Sequence, residues 1–249
     1  MPLRYGHQEF LPGIELWTLD RQKLPGYIAD LVESGKGAFI ITLNPVMVME
    51  HARFPEFKRA LEEADIIVAD GRGVRWAAKK LRGYDPPIIP GVELAEEIID
   101  LTSQKSWPVV IIGAKPGVWE KAKENLTAKY PGLNIVGGHH GYFDKAAEAE
   151  LIDRVAGLTP FVVIAGMGFP KQEVFLSSVR GRLPGAILIG IGGSLDIYSG
   201  MKKRAPIIFR KMGMEWLWRM VCEPKRMRQL ALLMKFWILV QIRHKSLLK

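Results

Sequence analysis

Between residues 37 and 200 the chain alternates between two hydrophobic rhythms. Short apolar runs at 37–43, 65–70 ("DIIVAD"), 108–113 ("PVVIIG"), 133–138 ("LNIVGG"), 161–166 ("FVVIAG") and 186–193 ("AILIGIGG") each run into Gly, Asn or Asp. Continuous apolar runs this short predict strands buried on both faces. Between them, residues 53–63, 91–104, 116–129, 145–156 and 170–179 repeat their apolar positions at helical spacing. Strands alternating with helices of this length predict a mostly parallel sheet covered on both sides. From residue 206 onward the pattern is helical only. The fold class expected is therefore α/β, a Rossmann-like sheet with a helical C-terminal appendage. The expected division is a core at 1–200 and an appendage at 201–249.

The charge distribution sharpens that division. The net charge is +9, yet residues 201–249 carry 13 Lys or Arg against Glu215 and Glu223. The rest of the chain is slightly acidic. A basic segment on a near-neutral body reads as a docking element for an anionic surface. Within it, "LALLMKFWILVQI" (230–242) is 13 residues long and interrupted by Lys235. A spanning helix needs about 20 apolar residues. The run is therefore expected to lie in the headgroup region, with Arg228, Lys235, Gln241 and Lys245 turned away and Trp216, Trp218 and Trp237 as interfacial anchors. Core burial is the competing expectation, made costly by the surrounding charge. Residues 1–23 are mixed and charged, so no secretory leader is expected. The single cysteine, Cys222, excludes an internal disulfide and has no Cys or His neighbours at zinc spacing.

In open parallel sheets the ligand crevice lies beyond the carboxyl ends of the strands. Those ends here carry "LNP", "ADGRG", "GAKPG", "GGHHGY", "GMGFPKQE" and "GIGGSLD". Glycine-rich turns leading into helix starts offer main-chain N–H groups to phosphate. A nucleotide or sugar-nucleotide site is the expectation. No P-loop spacing occurs, nor a GxGxxG followed by an acidic residue about 20 positions on, which disfavours ordinary NTPase or NAD chemistry.

Six segments in order are more specific: "TLNP" (42–45), "VADGRGV" (68–74), "GMGFPKQE" (166–173), "GIGGSLDIYSG" (190–200), "KRAP" (203–206) and "GMEWLWRMVCEPKRMRQ" (213–229). Together they resemble the WecG/TagA/CpsF family of bacterial glycosyltransferases over about residues 20–240. The resemblance implies the GT-E type of fold and inverting transfer from a UDP-sugar donor to a polyprenyl-diphosphate-linked acceptor sugar. It implies a peripheral enzyme at the cytoplasmic face of the cell membrane, serving teichoic-acid-type, capsular or exopolysaccharide synthesis. No cofactor is implied. A second copy of the chain stays open as a partner.

The resemblance puts the catalytic base at Asp70, which follows a strand and precedes Gly71; helix capping is the competing role. It puts Thr42 and Asn44 at the donor or acceptor, against turn formation before Pro45. It puts Gln172 on a sugar hydroxyl or phosphate oxygen, against an ordinary helix-surface glutamine, and leaves Lys171 and Glu173 structural or solvent-facing. Gly71, Gly113, Gly137, Gly166, Gly192 and Gly193 would let the main chain approach UDP closely. Asp196 would accept from uracil or ribose, or cap a helix. Tyr142 would bound the uridine, or pack. His139 and His140 read as a polar loop.

No D-x-D triplet occurs. Stabilising the departing diphosphate then falls to main-chain N–H groups and to arginines. Arg204, Arg219, Arg226 and Arg228 are the candidates, because the family's basic tail closes over the site. Where the family commonly has Arg–x–x–Gly–x–Asp, this chain has Ile88 and Glu93. Arg72 or Arg75 would have to substitute. A nucleotide-binding regulator without catalysis and a nucleic-acid-binding module are the alternatives. The greasy face of the tail and the lack of any nucleic-acid motif argue against the second.

Overall fold

A computed structural model describes residues 6–247. The chain opens with an antiparallel hairpin, β1 (His7–Leu11) and β2 (Ile14–Trp17), turned at Gly13. Then follow α1 (Leu24–Glu33), β3 (Ala38–Leu43), α2 (Pro45–Glu50), α3 (Pro55–Glu63) and β4 (Ile66–Ala69). Next come α4 (Arg72–Arg82), α5 (Gly91–Lys105), β5 (Pro108–Gly113), α6 (Val118–Lys129) and β6 (Asn134–His139). The α/β part closes with α7 (Lys145–Gly157), β7 (Val162–Gly166), α8 (Lys171–Arg180), β8 (Ile187–Gly190) and α9 (Ser194–Tyr198).

All six expected strands, β3 to β8, form one parallel sheet in the order β4-β3-β8-β7-β5-β6. Alternate side chains of β3 serve opposite faces. Phe39, Ile41 and Leu43 pack with Met47, Phe57, Ala77, Leu151 and Phe175. Ala38 and Ile40 pack on the other side with Ile28, Leu31, Ile98 and Leu126. Burying each large apolar side chain contributes about 1.5–3 kcal/mol, so two-sided burial of the central strands holds the layers together. Edge strand β6 departs from the expected two-sided burial: most of its residues are half-buried, with no strand beyond it.

Four helices of the α/β part fall outside the expected set: α1, α2, α4 and α9. α4 is strongly amphipathic: Val74, Ala77, Ala78 and Leu81 face inward at helical spacing and Gly83, left-handed, ends it. The N-terminal hairpin was also unexpected, since Gln8, Glu9 and Glu15 interrupt its apolar positions. It lies alongside edge strand β4 and reaches both cores, with Phe10 and Leu16 on one face and Trp17 on the other. Covering an edge in this way blocks pairing with another chain.

After Gly200 come α10 (Ile207–Lys211), α11 (Glu215–Cys222) and the long α12 (Arg228–Leu247). The sequence expectation opposed lipid contact to core burial for this run; the helix is buried on one face and exposed on the other. Phe236 and Val240, four residues apart, are buried in the core, and α12 lies against α2 and α4. Met234, Trp237, Ile238 and Ile242 are exposed, as are Arg228, Lys235 and Arg243. Gln241 is half-buried, and the side chain of Lys245 lies outside the described residues. Among the described residues no helix is long and apolar enough to cross a membrane.

Candidate active site

Parallel strands deliver their carboxyl ends to one rim, and the polar residues of the crevice collect there. Asp70 leaves β4 with its N–H on the Leu43 carbonyl at 2.9 Å, which ties it to the end of β3. Burial pushes its pKa up to about 6; Arg219 and the Gly91 N–H pull it down, while Glu215 and Glu93 push it further up. Gly91 heads α5 and has no room for a side chain, since a Cβ there would lie 2.9 Å from Thr42 Oγ1. Thr42, Asp70 and the start of α5 thus converge. Asp70 caps no helix; Gly71, with φ +92°, occupies the N-cap of α4.

Asn44 takes the turn-forming role that competed with substrate contact. Its Oδ1 accepts from the N–H groups of Val46 and Met47 at 3.0 and 3.1 Å, capping α2. Any contact with substrate therefore falls to its amide nitrogen. Gln172, expected on a sugar hydroxyl or phosphate oxygen, is buried and has partners within the protein. Its Oε1 accepts from Gly192 N–H at 2.8 Å and Gly168 N–H at 3.2 Å, and its Nε2 donates to Glu173 Oε1 at 2.7 Å. Glu173 is not solvent-facing: it is 3% exposed, and burial pushes its pKa up to about 7 against the donated bond from Gln172. Lys171 is structural, as expected, with Nζ on the Gly141 carbonyl at 2.7 Å and over the Phe143 ring.

The glycines divide. A Cβ at Gly113 would strike the Gly166 main chain, one at Gly166 would strike Leu195, and one at Gly137 would strike Leu158. At these three positions packing within the fold by itself requires glycine. Gly71 and Gly192 face open space, and Gly193 is nearly as open. Tyr142 is exposed, so packing is not its role. Asp196 caps no helix; it pairs with Lys202 at 2.6 Å. The rings of His139 and His140 lie 4.1 Å apart, and no three His, Cys, Asp or Glu side chains converge as a metal site among the described residues.

A cleft of about 330 Å³ opens beside α9, where the basic segment folds back over the rim. Gly193, Lys202, Lys203, Arg204, Glu215, Trp218, Arg219, Glu223 and Arg226 are among its lining residues. Three of the four arginines singled out from the sequence meet there; Arg228 does not line it and is exposed at the start of α12. Each of the three has an acidic partner. Arg204 pairs with Glu93 at 3.0 Å and Glu96 at 3.6 Å, Arg219 with Glu215 at 2.8 Å, and Arg226 with Glu223 at 2.6 Å. Five basic side chains against two acidic ones leave the lining positive, as a diphosphate requires. Arg219 and Glu215, which line the cleft, are also the charged groups that act most strongly on Asp70.

Neither expected substitute for the missing family arginine lines this cleft. Arg75 makes a bidentate pair with Asp85 at 2.5 and 2.6 Å on the exposed side of α4. Arg72 donates to the Lys211 carbonyl at 2.8 Å, fastening the end of α10. Sequence reasoning missed Lys202, Trp218 and Glu223 as lining residues. Only the charge surplus of the last segment pointed to their neighbourhood.

A parallel α/β sheet with a half-buried carboxylate and an arginine-lined cleft at its carboxyl rim is the arrangement in which open α/β folds hold a ligand. The chain belongs to the glycosyl transferase WecG/TagA/CpsF family, which it matches over residues 9–248. It is similar to an N-acetylglucosaminyldiphosphoundecaprenol N-acetyl-beta-D-mannosaminyltransferase of Bacillus spizizenii, with 34% identity over 205 residues, 82% of this chain and 79% of that one. A Staphylococcus aureus protein of the same name is 35% identical over 198 residues, 80% of this chain and 77% of its own. The protein is thus an enzyme of the glycosyltransferase class, which sets aside the regulator and nucleic-acid alternatives.

Proposed function

We propose that the protein transfers an N-acetylhexosamine from a UDP-sugar to a sugar carried on polyprenyl diphosphate, with inversion at the anomeric carbon. The observation that carries this reading is Asp70, half-buried at the crevice with its pKa raised to about 6, under the influence of two residues that line the arginine cleft. Near neutral pH such a carboxylate is mostly ionised yet basic enough to take a proton. Asp70 would remove the proton from the acceptor hydroxyl as its oxygen bonds to the anomeric carbon. The bond from that carbon to the β-phosphate oxygen would break, and UDP would leave with the electron pair. Arg204, Arg219 and Arg226 would exchange their glutamate partners for the diphosphate. The relatives' names support N-acetylmannosamine as the sugar and N-acetylglucosamine as the lipid-linked acceptor.

Residues 201–249 act in this reading as an appendage that both completes the site and rests on lipid. Arg219 and Arg226 reach the cleft from it, while Ile207, Ile208, Met212, Trp216, Met227 and Trp237 are exposed apolar side chains beside its basic ones. Apolar and cationic groups together suit an anionic membrane surface. The enzyme is then peripheral to the cytoplasmic face, where its lipid-linked acceptor would be in reach. The test is to incubate the full chain with UDP-N-acetylmannosamine or UDP-N-acetylglucosamine and a short-chain polyprenyl-diphosphate N-acetylglucosamine. A disaccharide with inverted anomeric configuration is expected from the first donor. Failure with every UDP-sugar while the protein is folded would overturn the reading.

A further inference from the structure

Glu173 is the one fully buried acidic residue among those described, and the transfer mechanism makes no use of it. Its Oε2 has no hydrogen-bond partner, and its Oε1 accepts from Gln172 Nε2 at 2.7 Å. A buried, half-satisfied carboxylate is costly, so it persists only where something requires it.

The requirement lies one bond further on. The amide of Gln172 bridges two turns at the carboxyl ends of adjacent strands: Gly168 after β7 and Gly192 after β8. Both turns hold left-handed glycines, with φ +78° at Gly168 and +54° at Gly192, and both present an N–H to Gln172 Oε1. A side-chain amide fits its pocket in two orientations that differ by exchanging O and NH₂. The glycine N–H groups can only donate, and Glu173 Oε1 accepts from the amide NH₂. One orientation alone satisfies both ends. Space leaves the amide little freedom to swing, since a Cβ at Gly190 would press against its Nε2.

We propose that Glu173 is a positioning residue for the nucleotide end of the site: acting through Gln172, it holds the Gly192–Gly193 turn in the conformation that receives the diphosphate. This rests on the reading of the adjoining cleft, which Gly193 lines, as the UDP site. Without an acceptor at position 173, the Nε2 end of the Gln172 amide loses its partner and the amide is held through Oε1 alone. The turn shifts, and donor binding weakens before chemistry does.

Three variants test this in the full-length protein. Glu173→Met removes the acceptor at similar volume. Glu173→Asp keeps the charge but withdraws it by one methylene. Glu173→Gln keeps a carbonyl that can accept from Gln172. Calorimetry with UDP should show binding weakened about tenfold or more in Glu173→Met and Glu173→Asp, the effect of one lost hydrogen bond at a site. KM for the UDP-sugar should rise in parallel while kcat stays within about threefold, and Glu173→Gln should restore most of the loss. Hydrogen exchange of the unliganded protein reads the turn directly: peptides covering 166–173 and 190–196 should exchange faster in the Met and Asp variants than in the wild type or Glu173→Gln. If Glu173→Met does not fold, Glu173→Asp must show both changes. Unchanged exchange in these peptides, or a loss confined to kcat, would overturn the positioning role. Wild-type protein that does not bind UDP, but in which the exchange differences appear, would instead refute the nucleotide reading of the cleft and with it the proposal.

Discussion

Arg204 Nη2 lies 3.0 Å from Glu93 Oε1, joining the segment after Gly200 to the first turn of α5. Arg21, from the opposite end of the chain, holds the other oxygen of the same carboxylate at 2.8 Å. Glu93 is one of the charges that raise the pKa of Asp70. Two distant arginines therefore moderate the field at the base. Arg204 is only 17% exposed along its side chain, and its Nε has no partner, which leaves a donor free for an arriving anion.

Arg204→Ala should slow transfer by about 10²–10³, the usual cost of removing one stabilising donor from a developing oxyanion. Arg204→Lys should recover little, because an ammonium cannot reproduce the planar fork that meets both Glu93 and Glu96. Steady-state rates of the two variants with a soluble acceptor check this. Rates within threefold of wild type would remove Arg204 from the diphosphate site.

Asp70→Asn should lower kcat by about 10²–10⁴ while changing UDP affinity little. The wild-type rate should fall on the acid side with a midpoint near pH 6, where Asp70 takes up its proton. The folded pKa lies above that of an unfolded aspartate, so ionisation opposes folding. Stability is then lost as pH rises from about 4 to 6, and the asparagine variant should melt higher than wild type above pH 6. Thermal melts at pH 5 and pH 8 provide the comparison.

The same sign applies to Glu173. Its pKa of about 7 in the fold exceeds that of an exposed glutamate, so the native state holds the proton more tightly than the unfolded chain. Stability should decline between about pH 4.5 and 7 and level off above that, an effect of about 3 kcal/mol from the shift in pKa. In Glu173→Gln this slope should be missing. Denaturant titrations at several pH values measure it, and parallel curves for the two proteins would show that Glu173 titrates normally.

Neighbouring positions of α12 should behave in opposite ways. Phe236→Ala should destabilise the fold by about 3–5 kcal/mol, the range for deleting a buried aromatic ring, because Phe236 is buried with Val240 in the core. Trp237→Glu should leave the melting temperature nearly unchanged, since Trp237 is exposed, yet weaken sedimentation with anionic liposomes. Truncation at residue 200 should yield an aggregation-prone core, because it uncovers the surface of α2 and α4 beneath α12. Dye binding to exposed apolar surface would detect that.

The sheet was legible because fully buried strands leave unbroken apolar runs, as at Val109–Ile112 and Val162–Ala165. The hairpin was not, because half-exposed strands mix Gln8, Glu9 and Glu15 among their apolar residues. Asp70 could be placed at the rim from its position after a strand. Arg75 could not, since nearness in sequence to Asp70 says nothing of the direction in which α4 turns it, and it meets Asp85. A glycine in sequence reports only that a side chain is unwelcome. At Gly113 the reason is the Gly166 main chain; at Gly192 it is the left-handed turn. The sequence leaves Glu173 structural or solvent-facing because charge is normally hydrated, and only the packing of α8 against β8 and β3 shows it buried.

The position of β8 has a consequence for how the chain emerges during synthesis. Ile187–Gly190 sits between β3 and β7, so the β3–β4 pair and the β7–β5–β6 group have no direct ladder to one another. Until β8 has left the ribosome, each group offers a naked central edge rich in Ile and Val. Such edges recruit other strands readily, and long-range parallel pairing is slow to close. A nascent chain stalled before residue 187 should therefore call on chaperones, whereas one stalled a few tens of residues beyond β8 should already resist protease in its sheet.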